Sequence, residues 1–226
     1  MFTFDFLIHS PKDGVNKEEM ISKLFSIVIL VGFVFHSTSA QVLYSNDFES
    51  STDIIIDGTV VIDKDGLPPM VWYADQGWFV HQENSNNTFS ASCSWVDPIG
   101  KVNDWLIIPE VAIPNDNKSY YLSWRGKVQD SVNSDGYQIR LSTNWDGNVA
   151  TANNSTFNHV LFTLAEEEFL WQVHEVNLSA FAGQTVHIAY INTSDDKYIL
   201  NIDNITVASC VITSTSDVET VCALND

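Results

Sequence analysis

Residues 119–143 read SYYLSWRGKVQDSVNSDGYQIRLST, and a turn signal at Asp135 and Gly136 divides this stretch into two halves. In each half apolar side chains recur at every second position, which is the period of a half-buried strand. The residues concerned are Tyr120, Leu122 and Trp124, then Tyr137, Ile139 and Leu141. The stretch therefore predicts two consecutive strands, each with one face directed to a core.

The same alternation continues on both sides of this stretch. Residues 185–192 place Val186, Ile188 and Tyr190 on one face, and Asp-Gly or Ala-Gly pairs separate the successive runs. No part of residues 41–226 keeps a helical period over three turns. The sequence thus predicts about ten to twelve short strands and an all-β fold, a jelly-roll β-sandwich of two antiparallel sheets.

One predicted strand, residues 198–207, changes phase within its length. Its apolar positions alternate up to Ile202 and resume at Ile205, so Asp203 and Asn204 take up one position too many. A one-residue β-bulge would keep both apolar sets buried and would redirect Asp203. A carboxylate among apolar strand residues needs a partner, and a bound cation is one candidate.

Composition excludes several classes of partner. The 226 residues carry 29 acidic against 10 basic side chains, a formal net charge of −19, while hydrophobic residues make up 45%. So apolar a chain can form a core and is not expected to be disordered. Nucleic acids and anionic membranes need clustered Lys and Arg, so neither is an expected partner.

The first forty residues resemble a targeting segment. In residues 20–40, Lys23 precedes a mainly apolar run of 12 residues (24–35), and small residues precede Gln41. This layout predicts a cleaved secretory signal peptide, since a membrane-spanning helix needs about 20 apolar residues. Met20 is the more conventional start of such a peptide, so residues 1–19 are expected to lie upstream of the true translation start. Residues 41–226 keep 25 of the acidic and 7 of the basic residues, a net charge of −18.

The predicted signal peptide sets the remaining domain limits and the redox environment expected for the cysteines. Residues 41–208 form the predicted domain, and residues 209–226 a C-terminal linker or tail with no membrane span. Three cysteines are too few for a fold built on disulfides. Cys210 and Cys222 are a candidate pair in an oxidising compartment, with Cys93 then a buried thiol; three free thiols are the alternative.

Several motifs follow one another along the chain: LYSNDFES at 43–50, VIDKDG at 61–66, an aromatic segment with Trp72 and Trp78, NDWLIIP at 103–109, the strands at 121–124 and 137–143, WQVHEVNLSAFAGQ at 171–184 and IDNITV at 202–207. In this order they resemble the cleaved-adhesin (gingipain/haemagglutinin adhesin) domains of secreted bacterial surface proteins, also called choice-of-anchor J domains. The last two motifs are the most specific of them.

The resemblance implies a calcium-stabilised sandwich that binds ligands without catalysis. On this basis Glu49 and Asp203 are the leading calcium ligands, with Asp47 next, because the first and last strands of such a sandwich pair. Asp63 and Asp65 could line the same site or a second one. Here the Asp-rich turn is interrupted after Gly66 by Leu67, Pro68 and Pro69, which departs from the family's pattern, and exposed acids without an ion remain the alternative.

Ligand-binding and catalytic candidates are fewer. Trp72, Tyr73 and Trp78 could stack on a sugar if they lie on a surface loop, or could belong to the core. Residues 166–168 are three glutamates that read as a solvated turn. Metalloprotease, serine-hydrolase, phosphate-loop and dinucleotide-binding motifs are absent from the sequence, which favours a protein that is not an enzyme.

Three functions are therefore consistent with the sequence. The first is a secreted or cell-surface adhesin-like module, within a larger or anchored bacterial protein, that recognises host or matrix protein or glycan. The second is a carbohydrate-binding module that serves a secreted polysaccharide-degrading enzyme or protease. The third is a glycosidase or polysaccharide lyase, which would need two carboxylic acids across a cleft.

Overall fold

The computed structural model describes residues 40–49, 54, 58–84 and 87–210. These residues form twelve strands and two short 3-10 turns. The strands are β1 (Val42–Asn46), β2 (Val60–Asp63), β3 (Trp78–Asn84), β4 (Asn87–Cys93), β5 (Asp104–Ile107), β6 (Val111–Ala112), β7 (Ser119–Val128), β8 (Tyr137–Ser142), β9 (His159–Leu164), β10 (Gln172–Asn177), β11 (Thr185–Asn192) and β12 (Ile199–Cys210). The predicted all-β class and strand number are confirmed.

The strands form two six-stranded antiparallel sheets. In the front sheet the order is β10-β7-β12-β4-β3, and in the back sheet it is β2-β5-β11-β8-β9. One long strand in each sheet holds two partners along the same edge: β12 pairs with β4 and then β1, and β11 pairs with β5 and then β6. The predicted sandwich of two antiparallel sheets is confirmed, and it brings the first strand beside the last.

The main core lies between the two sheets and is built from the side chains that the alternation places on one face. Trp124 and Leu122 of β7 and Ile202 of β12 meet Ile139 of β8 and Tyr190 of β11, and all five are fully buried. Along β7 and β8 these positions alternate with more exposed or polar residues, so the period of two decides which side chains the sandwich encloses.

Smaller apolar clusters cover the outer faces of both sheets. On the back sheet, Trp105 packs with Phe157 and Trp145 of the segment between β8 and β9. On the front sheet, Phe79 and Cys93 pack beneath the segment between β2 and β3. Central strands covered on both faces show continuous burial instead of alternation, and all four residues of β5 are accordingly buried.

The predicted bulge in β12 is present. The register between β12 and β7 shifts between Asp203 and Thr206, and Asn204 adopts a φ of 51°. Ile202 and Ile205 are both fully buried, which is the result that the bulge was expected to produce. Asp203 consequently lies buried on a strand whose neighbour β1 leads directly to two further acids.

Several expectations concern parts of the chain that the structure does not describe. The signal peptide up to residue 39, the tail from residue 211 with Cys222, and the side chain of Cys210 lie outside the described residues. Cys93 is a free, buried thiol, as expected, and burial raises its pKa to about 11. In the ranges given above there is no helix long and apolar enough to cross a membrane.

Candidate metal centre

Three aspartates meet where β2 ends and β5 begins. Asp63 is the last residue of β2 and Asp104 the first of β5, and the antiparallel register places the two directly opposite each other. Asp65 follows in the turn after β2. Carboxylate oxygens of these three residues all lie within 4.8 Å of one another. Among the described residues they are the only group of three or more His, Cys, Asp or Glu side chains with such spacing.

The turn after β2 holds two of the carboxylates in place. Oδ1 of Asp63 accepts hydrogen bonds from the backbone N–H groups of Asp65 (3.1 Å) and Gly66 (2.8 Å). Gly66 has a φ of 69°, a conformation that a residue without a side chain adopts at little cost. Asp65 in turn accepts from the N–H groups of Leu67 and Asn103. The local sequence DKDG therefore orients both aspartates before any ion binds.

Asp104 is the buried member of the group. Only 3% of its surface is exposed, and its Oδ2 accepts a hydrogen bond of 2.8 Å from the hydroxyl of Ser92. Burial, together with the negative charges of Asp65 and Asp63, raises the pKa of Asp104 to about 7. A carboxylate held in this way is stabilised by any cation that approaches it.

The positive charge nearest in sequence is directed elsewhere. Lys64 lies between two of the aspartates, yet its ammonium is 3.6 Å from the centroid of the Trp105 ring and donates a hydrogen bond to the carbonyl of Ala152. Within the described residues no ion pair neutralises Asp63, Asp65 or Asp104. The three carboxylates thus form a concentrated negative site without a protein counter-ion.

The donor set fits a hard divalent cation. Calcium binds oxygen ligands, usually a few carboxylates completed by carbonyls and water, whereas zinc prefers nitrogen and sulfur. Each carboxylate here keeps lone pairs beyond those used in hydrogen bonds, and in the described chain Oδ1 of Asp104 accepts none. If calcium binds, Asp63, Asp65 and Asp104 are the residues that would hold it.

The leading predicted ligands lie at another place in the fold. Asp203 is buried, and burial together with the charges of Glu49 and Asp47 raises its pKa to about 6. Among its neighbours, Glu49 accepts a hydrogen bond from the N–H of Thr88 at 3.0 Å, and Asp47 accepts one from the N–H of Glu49. The three acids are near enough to interact, but they do not form a group with the spacing found around Asp104.

The aromatic residues predicted to bind ligand differ in how deeply they are buried. Trp78 is only 2% exposed and its indole N–H donates to the backbone carbonyl of Asp104, so the prediction that it binds ligand is wrong. It belongs to the core because it faces the opposite sheet. Trp72 is 94% exposed at the tip of the segment between β2 and β3, and its ring meets that of Tyr73 edge to face at 5.6 Å. Tyr73 is half-buried.

The expectation that residues 166–168 form a solvated turn is wrong for the middle residue. Glu167 is 2% exposed, and its Oε2 accepts from the hydroxyl of Tyr137 (2.9 Å) and contacts Nε2 of His174 at 2.8 Å. The indole of Trp124 donates to the same hydroxyl. Strands β7 and β10 of the front sheet and β8 of the back sheet supply these partners, and sequence alone does not show that they converge.

Sequence reasoning also did not identify Asp104 as a candidate ligand. Its segment, NDWLIIP, was noted only as a motif strand. A signal was present: an aspartate that opens a run of four consecutive apolar residues is expected to be buried, and a buried carboxylate needs a partner. What the pattern could not show is that Asp104 lies beside the turn of Asp63 and Asp65.

Comparison with solved structures identifies similar folds. The chain is similar to the K3 cleaved adhesin domain of Lys-gingipain from Porphyromonas gingivalis W83, with a TM-score of 0.54 and 18% identity over 75% of this chain and 99% of that one. For the K1 domain the TM-score is 0.52 and the identity 20%, over 75% of this chain and 97% of that one. For the K2 domain the TM-score is 0.52 and the identity 16%, over 76% of this chain and 100% of that one. No protein-family model and no curated protein sequence matches.

The resemblance to cleaved adhesin domains is therefore confirmed at the level of the fold. At 16–20% identity these similarities concern backbone architecture and carry no information about ligands.

Proposed function

We propose that this chain is a secreted or cell-surface binding module of the adhesin type, stabilised by calcium, that recognises a protein or glycan and catalyses no reaction. The observation that carries the proposal is the three-aspartate group on a fold that spans 97–100% of three adhesin domains. An ion at this group would join the end of β2 to the start of β5 and so stabilise the edge of the back sheet.

The enzyme alternative has less support. Glycoside hydrolysis requires two carboxylic acids that face each other across a cleft. In the glutamate run at 166–168 the middle residue is buried and bonded to Tyr137 and His174. Asp104 and Asp203 are buried as well.

A carbohydrate-binding module is the second candidate function. One observation favours it: the outer face of the front sheet carries a groove that combines aromatic rings with hydrogen-bonding side chains. Saccharide recognition and adhesion are compatible, because an adhesin can bind a glycan. The two candidates differ in whether the natural partner is a matrix protein or a polysaccharide.

The test is a binding panel with the secreted protein. Immobilised glycans and extracellular-matrix proteins such as fibronectin and collagen are probed in millimolar calcium, and again in excess chelator. We expect saturable binding to at least one partner, a higher melting temperature in calcium and no release of product from the bound partner. Cleavage of a bound polysaccharide or protein would contradict the proposal, as would identical melting curves in calcium and in chelator.

A further inference from the structure

A groove crosses the outer face of the front sheet, on the side away from the core. It has a volume of about 450 Å³, which is within the range of small-molecule sites. Strand β3 forms one wall, β7 the opposite part, and the segment that precedes β10 closes the end. Its lining residues are His81, Gln82, Glu83, Phe89, Lys127, Val128, Gln129, Phe169, Leu170 and Trp171.

Aromatic rings form a continuous row along this face. Trp171 meets Phe89 edge to face at 5.3 Å, Phe89 meets His81 at 5.5 Å, and His81 meets Tyr73 at 5.1 Å. Trp72 extends the row beyond Tyr73. At the rim of the groove Phe169 is 52% exposed, so an apolar ring is presented to solvent beside polar groups.

Hydrogen-bonding groups of both kinds surround these rings. Lys127 and Glu83 form an ion pair of 2.7 Å, in which the ammonium offers donors and the carboxylate offers acceptors. That contact also holds the pKa of Glu83 below its usual range, so the carboxylate remains charged. Gln129 is fixed in orientation, because it accepts from Tyr73 and donates to Asn201.

The rim segment is held rigidly from below. Glu167, buried beneath the rim, bonds to Tyr137 and His174, and the carbonyl of Glu168 accepts from the N–H of Val128 at 2.9 Å. Gly126 is necessary for this arrangement, because a Cβ at that position would lie 2.4 Å from Oε2 of Glu167. The groove is therefore largely formed before a ligand binds, which reduces the ordering cost of binding.

We propose that this groove binds a neutral saccharide unit, with the apolar face of the sugar on the exposed ring of Phe169 and its hydroxyl groups on Glu83, Lys127 and the two glutamines. The inference rests on the proposed binding function and assigns its site. Hydroxyl groups both donate and accept, which matches a rim of mixed donors and acceptors.

Charge argues for a neutral sugar over an acidic one. The only ammonium in the lining, Lys127, is already paired with Glu83. The chain as a whole carries a net charge of −19, which repels anionic ligands at long range. A purely apolar ligand would displace water from the polar groups of the groove without replacing the hydrogen bonds that this water makes.

The test uses the secreted protein in millimolar calcium with cellohexaose, mannohexaose and galactohexaose, and with an oligogalacturonate of the same length as the charged comparator. Binding is measured by calorimetry. We expect at least one neutral hexaose to bind more tightly than the oligogalacturonate. Phe169→Ala should weaken that binding about tenfold or more, which corresponds to about 1.4 kcal/mol. Gln82→Ala should weaken it as well.

Val160→Ala is the matched control. Val160 is 51% exposed, nearly the same as Phe169, but lies on β9 of the back sheet. It should leave binding unchanged, and all three variants should melt close to the unsubstituted protein. The groove proposal is overturned if no neutral hexaose binds, if the oligogalacturonate binds more tightly, or if Phe169→Ala and Val160→Ala bind equally well. Binding of a matrix protein without any hexaose would overturn the groove proposal alone and leave the proposed function standing.

Discussion

Buried carboxylates are the most informative residues in this molecule. Asp135 is fully buried and burial raises its pKa to about 6, but it accepts hydrogen bonds from Ser94, from Asn192 and from the backbone N–H of Tyr198. Asp104 has one such partner and faces two more aspartates. The difference distinguishes a structural carboxylate, whose partners are in the protein, from a candidate metal ligand.

The first prediction concerns Asp104→Asn. Without calcium at slightly alkaline pH, the variant should melt at a higher temperature than the unsubstituted protein, because it removes a buried charge that Asp63 and Asp65 repel. With calcium, its melting temperature should no longer rise. Differential scanning calorimetry measures both effects, and a change of 1 kcal/mol corresponds to about 2–4 °C for a chain of this size.

Asp203→Asn is the comparison variant for this prediction. The initial hypothesis assigns calcium to Glu49, Asp203 and Asp47, and the structure favours the group around Asp104. If Asp203→Asn loses the calcium-dependent rise while Asp104→Asn keeps it, the ion binds where the first and last strands pair, and the assignment made here is wrong.

At the scale of elements, the segment between β9 and β10 stabilises the sandwich and also lines the groove. Its backbone makes hydrogen bonds to residues outside it, for example from the N–H of Glu167 to the carbonyl of Asp135 at 2.8 Å. Gly136 allows this approach, since a Cβ there would lie 2.3 Å from the carbonyl oxygen of Ala165. The segment is irregular in conformation but is tied to both sheets.

The second prediction is a pH dependence from Glu167. Burial raises the pKa of Glu167, but the hydrogen bonds from His174, from the N–H of Glu168 and from Tyr137 together outweigh it and hold the pKa below its usual range. A carboxyl whose pKa is lower in the folded state contributes stability above its unfolded pKa, and this contribution is lost as the pH falls through the folded value.

Glu167→Gln should therefore destabilise the protein at neutral pH, by about 1–2 kcal/mol for a charge-assisted hydrogen-bond network. The difference in unfolding free energy between the two proteins should shrink as the pH falls below about 4.3, the pKa of the unfolded carboxyl, and through the lower pKa of the folded one. Urea unfolding over this range measures it. A difference that is independent of pH would show that shape, and not charge, determines the effect.

At the scale of the whole molecule, the net charge of −19 opposes folding. Most acidic side chains have no basic neighbour to pair with, and the described ion pairs between Lys and an acid are only Lys118 with Asp116 and Lys127 with Glu83. Like charges repel more strongly in a compact chain than in an unfolded one. Solvation of the same charges keeps a sandwich with many aromatic residues in solution.

The third prediction follows from that repulsion. The melting temperature of the calcium-free protein should rise when sodium chloride is added up to about 0.1–0.2 M, where the screening length falls to about 8–10 Å. In calcium the rise should be smaller, since a bound cation already neutralises part of the charge. Calorimetry at several salt concentrations tests this, with potassium chloride as the control for ion-specific effects. A melting temperature that falls with added salt would contradict it.

The sequence by itself determined the features that depend on near neighbours in the chain. Alternation of side chains predicts the strands and the two-sheet class, because the pleat requires a period of two wherever one face is buried. The bulge at Asp203 and Asn204 and the turn of Asp63 and Asp65 are equally local. Of the proposed metal group, Asp63 and Asp65 were candidates through the resemblance to cleaved-adhesin domains, and Asp104 was not a candidate.

Only the tertiary structure decided which distant residues meet. Asp104 joins Asp63 because β2 and β5 pair in one register, and Glu167 is buried because Gly126 leaves room for its carboxylate. The groove likewise needs β3, β7 and the segment before β10 at once. Sheet order and register arise from the combined burial of all strands, which no single stretch encodes. For this reason acidic residues lie in a solvated turn, at the centre of a hydrogen-bond network or in a candidate cation site.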